Sequence, residues 1–265
     1  MPKFSIFILI FVFIFSFLGS TFYTVDAYSL NSSSILLPPS LEHYLGTDRL
    51  GRDILARLME GGKVSLTIGV GSAFIASVIG LILGSMAGYY RGNVDKGFIV
   101  LVDLFLTFPT FFLLLALVSY VNASAWVLIV IISITGWMTT ARLVRSESFK
   151  ITSQPYIKIL NIANVSKFKI LFKYYAPILA PIYFVSFTFG VGGAILAESG
   201  LSFLGLGIVA PQMSWGTILS AGKEVIEIAW WVSFFPGLMI FLVTFSLINI
   251  SNYLQQLTNQ KQIQD

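Results

Sequence analysis

Six stretches of this chain, 4–23, 66–90, 98–120, 125–141, 176–197 and 230–250, run apolar for close to the length of a bilayer crossing. A hydrocarbon core of about 30 Å needs roughly 20 such residues in a helix. Within lipid every backbone N–H and C=O must be satisfied by the chain itself, so runs of this length cross as helices. Composition agrees: 56% of the 265 residues are hydrophobic and 11% are charged, against about 25% charged in a soluble domain. The expectation is an all-α integral membrane protein with six transmembrane helices. The first run follows Met1-Pro2-Lys3. It lies at the upper length of a signal-peptide core and no small-x-small site follows it directly, so it reads as an uncleaved anchor.

Basic residues in short loops set orientation. With the N-terminus inside, eleven of the 16 Lys and Arg fall on inside segments and five outside. This predicts an N-in/C-in topology, with both termini in the cytoplasm. The excess of positive charge is then a membrane signal, and no nucleic-acid partner is expected. Cysteine is absent and His43 is the one histidine, which excludes thiol chemistry and thiolate metal sites. Residues 216–223 approach a phosphate loop, but the spacing is one residue too long and Glu224 stands where Ser or Thr is required. No His/Asp/Glu cluster has metal-ligand spacing. No catalytic residue, metal site or cofactor is expected, and His43 reads as an exposed loop residue.

Three segments between the runs are long enough to act. In 24–65, charge alternates over 48–60 with Leu50, Ile54, Leu55, Leu58 and Met59, the pattern of a short interfacial amphipathic helix. In 142–175, Pro155 suits a first helical turn, Asn164 a left-handed stop and Ser166 a cap. This predicts a cytoplasmic helix-turn-helix over 156–163 and 167–175, with Pro177 opening the next span. In 198–228, the Gly-rich stretch 201–207 precedes Pro211 and Trp215 and reads as a re-entrant segment near a pore mouth. Gly80, Gly84 and Gly88 form one small-residue face of the second span, which lets another helix approach closely. Asp103 is an acid within the third span. Its place near Lys96 and Arg91 favours an ion pair or a helix-dipole contact over a proton relay.

Residues 45–55, LGTDRLGRDIL, resemble a motif of the second permease subunit of dipeptide, oligopeptide and nickel ABC importers, and 198–207, ESGLSFLGLG, resemble another. The run Trp215-Gly216, 229–231 and 235–237 matches the same subunit, as do Asp103 and Pro109. The resemblance implies a type I ABC importer permease fold in the bacterial inner membrane. It implies a homologous sister permease, two cytoplasmic ATPase subunits and a periplasmic or lipid-anchored substrate-binding protein as partners. It implies periplasmic and gate roles for Gly46, Asp48, Gly51, Arg52, Asp53, Glu198, Gly205, Gly207 and Trp215. The family's ATPase-coupling pattern falls on Tyr156, Lys158, Ile159, Leu160, Asn164, Ser166 and Pro177. There Lys158 stands for a Glu, Ile159-Leu160 for an Ala pair and Asn164 for a Gly, which implies an ATPase surface of different charge. The expected organisation is an anchor at 1–23, a periplasmic segment at 24–65, a permease core at 66–250 and a cytoplasmic tail at 251–265. A self-sufficient secondary carrier or channel is the alternative.

Overall fold

In the computed structural model, which describes residues 2–264, the apolar runs are helices. The described residues hold no strand beyond one antiparallel bridge, Thr47 to Asp53. The helices are α1 (Lys3–Phe22), α2 (Ile54–Tyr90), α3 (Gly92–Thr107), α4 (Thr110–Val118), α5 (Ala125–Ser153), α6 (Pro155–Ile162), α7 (Lys167–Ile170), α8 (Ala176–Phe203), α9 (Trp215–Lys223) and α10 (Trp231–Gln264). Five crossings are long and apolar enough to span a membrane, and α3 with α4 makes a sixth if the bent pair is one crossing.

Four boundaries differ from the sequence reading, each for a local reason. Residues 48–60 are not a separate amphipathic helix. Asp48 gathers the backbone around itself into a turn, Asp53 caps the N-terminus, and α2 then runs unbroken for 37 residues. At 1.5 Å per residue this is about 55 Å, well beyond a hydrocarbon core. The run 98–120 is broken and bent by 78°, because Pro109 lacks an N–H and forces Phe108 into an extended conformation (φ −94°, ψ 134°). Residues 167–175 are not a helix of their own. A π-helical stretch, Leu171–Tyr175, joins α7 to α8 in one crossing. Pro177 would clash with the carbonyl of residue 173 in a regular α-turn, and the wide turn lies there. Finally, α8 continues to Phe203, so Glu198 belongs to a helix and not to a loop.

Helix α2 is the axis of the bundle. On one side it meets α5, where Gly80, Gly84 and Gly88 face Thr140, Ala141, Val144 and Ser148. A Cβ on Gly84 would stand 2.5 Å from the Ala141 carbonyl oxygen. The approach is close enough for Thr152 Oγ1 to reach the Gly88 carbonyl at 2.9 Å. On another side α2 meets α8, where Gly69 faces Ile195. Helices α1, α9 and α10 complete a core around Trp215, Ile218, Val232 and Val243. Outward, α1 carries Phe4, Phe7, Phe11 and Phe13 exposed, as a lipid-facing helix would. One end of the bundle holds the turns of 23–53 and 204–230, and the other holds α6. Because α1 finishes and α10 begins at the first end, the start of α1 and the end of α10 lie toward the second.

Candidate functional site

The loop-rich end is built from two carboxylates that organise backbone. Asp48 Oδ1 accepts from the N–H groups of Leu50 (2.8 Å) and Arg52 (3.0 Å), and Oδ2 accepts from Arg52 Nε (2.8 Å). Arg57 Nε lies 3.5 Å from the same oxygen. Asp53 Oδ1 caps α2 at Ala56 N (3.0 Å), while Oδ2 meets the Tyr23 hydroxyl (3.0 Å) and His43 Nδ1 (2.9 Å). His43 is therefore half-buried and engaged, not a free loop residue. Burial, and after it the bond to Asp53, raises the Tyr23 phenol above its ordinary pKa. Asp48 and Asp53 are only 3% and 2% exposed, and such charges persist in a dry interior only when paired and hydrogen-bonded. The two glycines of the motif are required by shape. Gly46 and Gly51 have φ of +78° and +71°, and a Cβ on Gly51 would fall 1.8 Å from the Asn31 carbonyl oxygen.

The second motif meets the first across the chain. Glu198 is fully buried. Its Oε1 accepts from Ser202 Oγ (2.7 Å) and Ser214 Oγ (2.6 Å), and Oε2 from Ser65 Oγ (3.3 Å). Ser65 Oγ also accepts from the Trp215 backbone N–H (3.1 Å), and Trp215 Nε1 donates to the Leu58 carbonyl (2.9 Å). One carboxylate thus ties α2, α8 and the start of α9. Ser214 and Thr217 form a reciprocal capping box at α9. Gly205, at φ +82°, closes α8 with bonds from Gly205 N to Ser202 O and from Leu206 N to Leu201 O, a Schellman ending. A Cβ on Gly207 would strike Ser202. A cavity of about 590 Å³ lies between the two motifs, lined by Asp48, Arg49, Arg52, Gly205, Gly207 and Glu224 among others. Arg49 and Glu224 pair across it.

Neither Ser65 nor Ser214 stands out in the sequence, and Glu198, read there as the start of the segment 198–228, lies instead in the last turns of α8. Asp103 itself pairs with Arg142 Nη2 on α5 (2.7 Å), not with Lys96 or Arg91, and both partners are exposed. Arg145 on α5 takes the nearby Asp95 (Nη2 to Oδ2, 2.8 Å).

At the opposite end, α6 sits on a small core of Tyr89, Val144, Ile151, Ile170, Tyr175 and Leu179. Ile157 is buried in it and Leu160 packs against it, so the pair Ile159-Leu160 is split. Ile159 points out, 64% exposed, beside Ile162 at 81%. Tyr156 and Lys158 are exposed on the same helix. Asn164 has φ +53° and ends α6 with bonds from its own N–H to Asn161 O and from Val165 N to Leu160 O. The asparagine thus occupies the left-handed position where glycine is the usual choice. The Asn161 side chain accepts from the Tyr89 hydroxyl (2.8 Å), fixing α6 to α2. Ser166 precedes α7 but its side chain makes no capping bond, a correction to its expected role. Pro177 is exposed in the first turn of α8.

Residues 80–262 match the family model described as binding-protein-dependent transport system inner membrane component. The dipeptide transport system permease protein DppC of Bacillus subtilis (strain 168) is 34% identical over 260 residues, covering 97% of this chain and 81% of that protein. The oligopeptide transport system permease protein OppC of Haemophilus influenzae is 30% identical over 259 residues, covering 97% and 83%. Among solved structures, an inward-facing crystal form of the MetNI methionine ABC transporter superposes with a TM-score of 0.58 at 17% identity, over 75% of this chain and 96% of that one.

Proposed function

The chain belongs to the family of binding-protein-dependent transport system inner membrane components, and from that premise we propose that it forms half of the translocation pathway of an ATP-driven peptide importer. It is a multi-pass protein of the bacterial inner membrane and a permease subunit, with ATP hydrolysis on a separate chain. The relatives described above carry peptide names, so peptides are placed ahead of nickel chelates as the substrate. A self-sufficient carrier is not favoured, because these relatives are components of larger systems.

The observation that carries the coupling role is the outward face of α6. Ile159 and Ile162 are large, apolar and exposed, yet the helix beneath them is fixed by its Asn164 ending and by the Tyr89–Asn161 bond. A rigid apolar ridge at a solvent-facing end is an anchor for a partner. Lys158 beside it supports an ATPase cleft with an acidic rim. The end bearing α6 is then cytoplasmic and both termini lie inside. The loop-rich end, with Asp48, Asp53 and Glu198, faces the periplasm, where a binding protein delivers substrate. A homologous sister permease supplies the other half.

The test is reconstitution of the chain with its neighbouring permease, ATPases and binding protein. The reading expects ATP-dependent peptide uptake that needs all components, and reaction of Lys158→Cys with an impermeant thiol reagent from the cytoplasmic side. Uptake by the single chain, or labelling of Lys158→Cys from the periplasm, would overturn it.

A further inference from the structure

A second cavity, of about 420 Å³, lies in the middle of the bundle among α2, α4, α5, α8 and α10. Its size falls within the ~300–1,000 Å³ of small-molecule sites. Among the described residues no charged one lines it, and most of the wall is apolar, from Ala73, Ala76, Leu114, Ile132 and Phe189 among others. Hydroxyls interrupt that wall, Ser77, Thr110, Thr135, Thr139 and Thr140 among them. Gly136, Gly190 and Gly193 leave bare backbone between them. Most of the Ser and Thr hydroxyls inside this bundle turn back onto their own helix, as Ser77 does onto the Phe74 carbonyl and Thr135 onto that of Ile131. Thr110 and Thr139 are exposed and bring hydroxyls to the chamber wall, where a hydrogen-bonding occupant serves them better than hydrocarbon. The chamber opens outward past Gly136, Thr139 and Gly193, which are exposed.

We propose that this chamber is the chain's share of the peptide passage, where hydroxyls serve the amides of the peptide backbone and selection is by girth, blind to side-chain charge. The inference rests on the peptide-importer reading above. A peptide carries the same donors and acceptors at every residue whatever its side chains, and Ser or Thr hydroxyls can both donate and accept. A charged wall would discriminate between acidic and basic peptides, and the described residues of this wall carry no charge with which to do so.

Gly193 provides the test, since a Cβ there meets nothing within 4 Å. The chain has no cysteine, so Gly193→Cys in the assembled complex carries a unique label site on this subunit. The expected result is reaction with a charged thiosulfonate, slowed about fivefold by saturating dipeptide. Reaction only with an uncharged membrane-permeant maleimide places the chamber against lipid and overturns the proposal. Gly193→Phe should cut uptake of Trp-Trp about tenfold more than uptake of Gly-Gly. Asp-Asp and Lys-Lys should be affected alike. Unchanged uptake of all four overturns the passage, and opposite effects on the acidic and basic peptides overturn its blindness to charge. If the phenylalanine variant does not assemble, the cysteine labelling alone decides. If the unmodified complex moves no peptide, the importer reading fails while the labelling still reports whether the chamber holds water or lipid.

Discussion

Replacing Gly84 by alanine tests what holds the two central helices together. The added Cβ would stand 2.5 Å from the Ala141 carbonyl oxygen, 2.9 Å from Val144 Cβ and 3.0 Å from Arg145 N. Two of these three neighbours are backbone and cannot rotate away, so α2 and α5 must separate locally by several tenths of an ångström or more. A gap of 0.5–1 Å forfeits about a quarter to a half of each dispersion contact along the seam. Overpacking of this kind costs about 1–3 kcal/mol. In lipid there is little hydrophobic gain to offset it, because the helices are surrounded by equally apolar tails. The separation would also stretch the Thr152–Gly88 bond that depends on the close approach. The same substitution at Gly97, on the exposed side of α3, meets nothing within 4 Å and should gain about 0.5–1 kcal/mol of helix propensity. The two variants therefore have opposite signs. At about 2–4 °C per kcal/mol for a chain of this size, Gly84→Ala should lower the midpoint of intrinsic-fluorescence melting in nanodiscs by about 2–12 °C, while Gly97→Ala leaves it level or raises it by a few degrees. Equal shifts in the two variants would refute the assignment of the glycine ladder to the α2–α5 contact.

Other residues lead to equally direct expectations. Ile159→Asp should reduce ATP-driven uptake at least tenfold while membrane insertion is unchanged, since Ile159 touches no core; Leu160→Asp, which loads a charge against the core under α6, should instead lower the yield of folded protein, as size-exclusion profiles would report. At the end of α6, Asn164→Gly should be neutral or slightly stabilising, whereas Asn164→Val forces a β-branched residue to positive φ and should cost about 1–2 kcal/mol in thermal denaturation. Glu198→Leu removes the shared acceptor of three serine hydroxyls, a loss of about 1–3 kcal/mol for each group left bare, and limited proteolysis of the 204–214 loop should accelerate accordingly; Glu198→Gln, which keeps one carbonyl oxygen, should fall between it and the unmodified chain.

The crossings were legible because lipid imposes a length and an apolar composition that nothing else in a sequence imitates. The left-handed ending at Asn164 and the α2–α5 glycine face were legible for a similar reason, since each depends on neighbours in sequence or on one helical repeat. What was not legible depends on distant partners. Residues 198–203 contain two serines and a glycine and read as loop, yet they stay helical because Glu198 collects Ser202, Ser214 and Ser65 and because Gly216 nests against Ser199. The charges of 48–60 suggested one helix, but Asp48 spends its carboxylate on the Leu50 and Arg52 amides and Asp53 on a cap. The division of Ile159 from Leu160 could have been drawn from spacing, because Leu160 follows the buried Ile157 by three residues and shares its face. The exchange of partner at Asp103 could not, because it requires knowing that α5 presents Arg142 beside α3.

The attachment of α9 to Glu198 has a mechanical corollary. Three elements hang on a single acceptor in a dry interior, and withdrawing any one of them strands a hydroxyl or leaves the carboxylate short of donors. Loss of any one of the three is therefore expected to loosen the other two with it, so that this corner of the bundle holds or gives way as a unit.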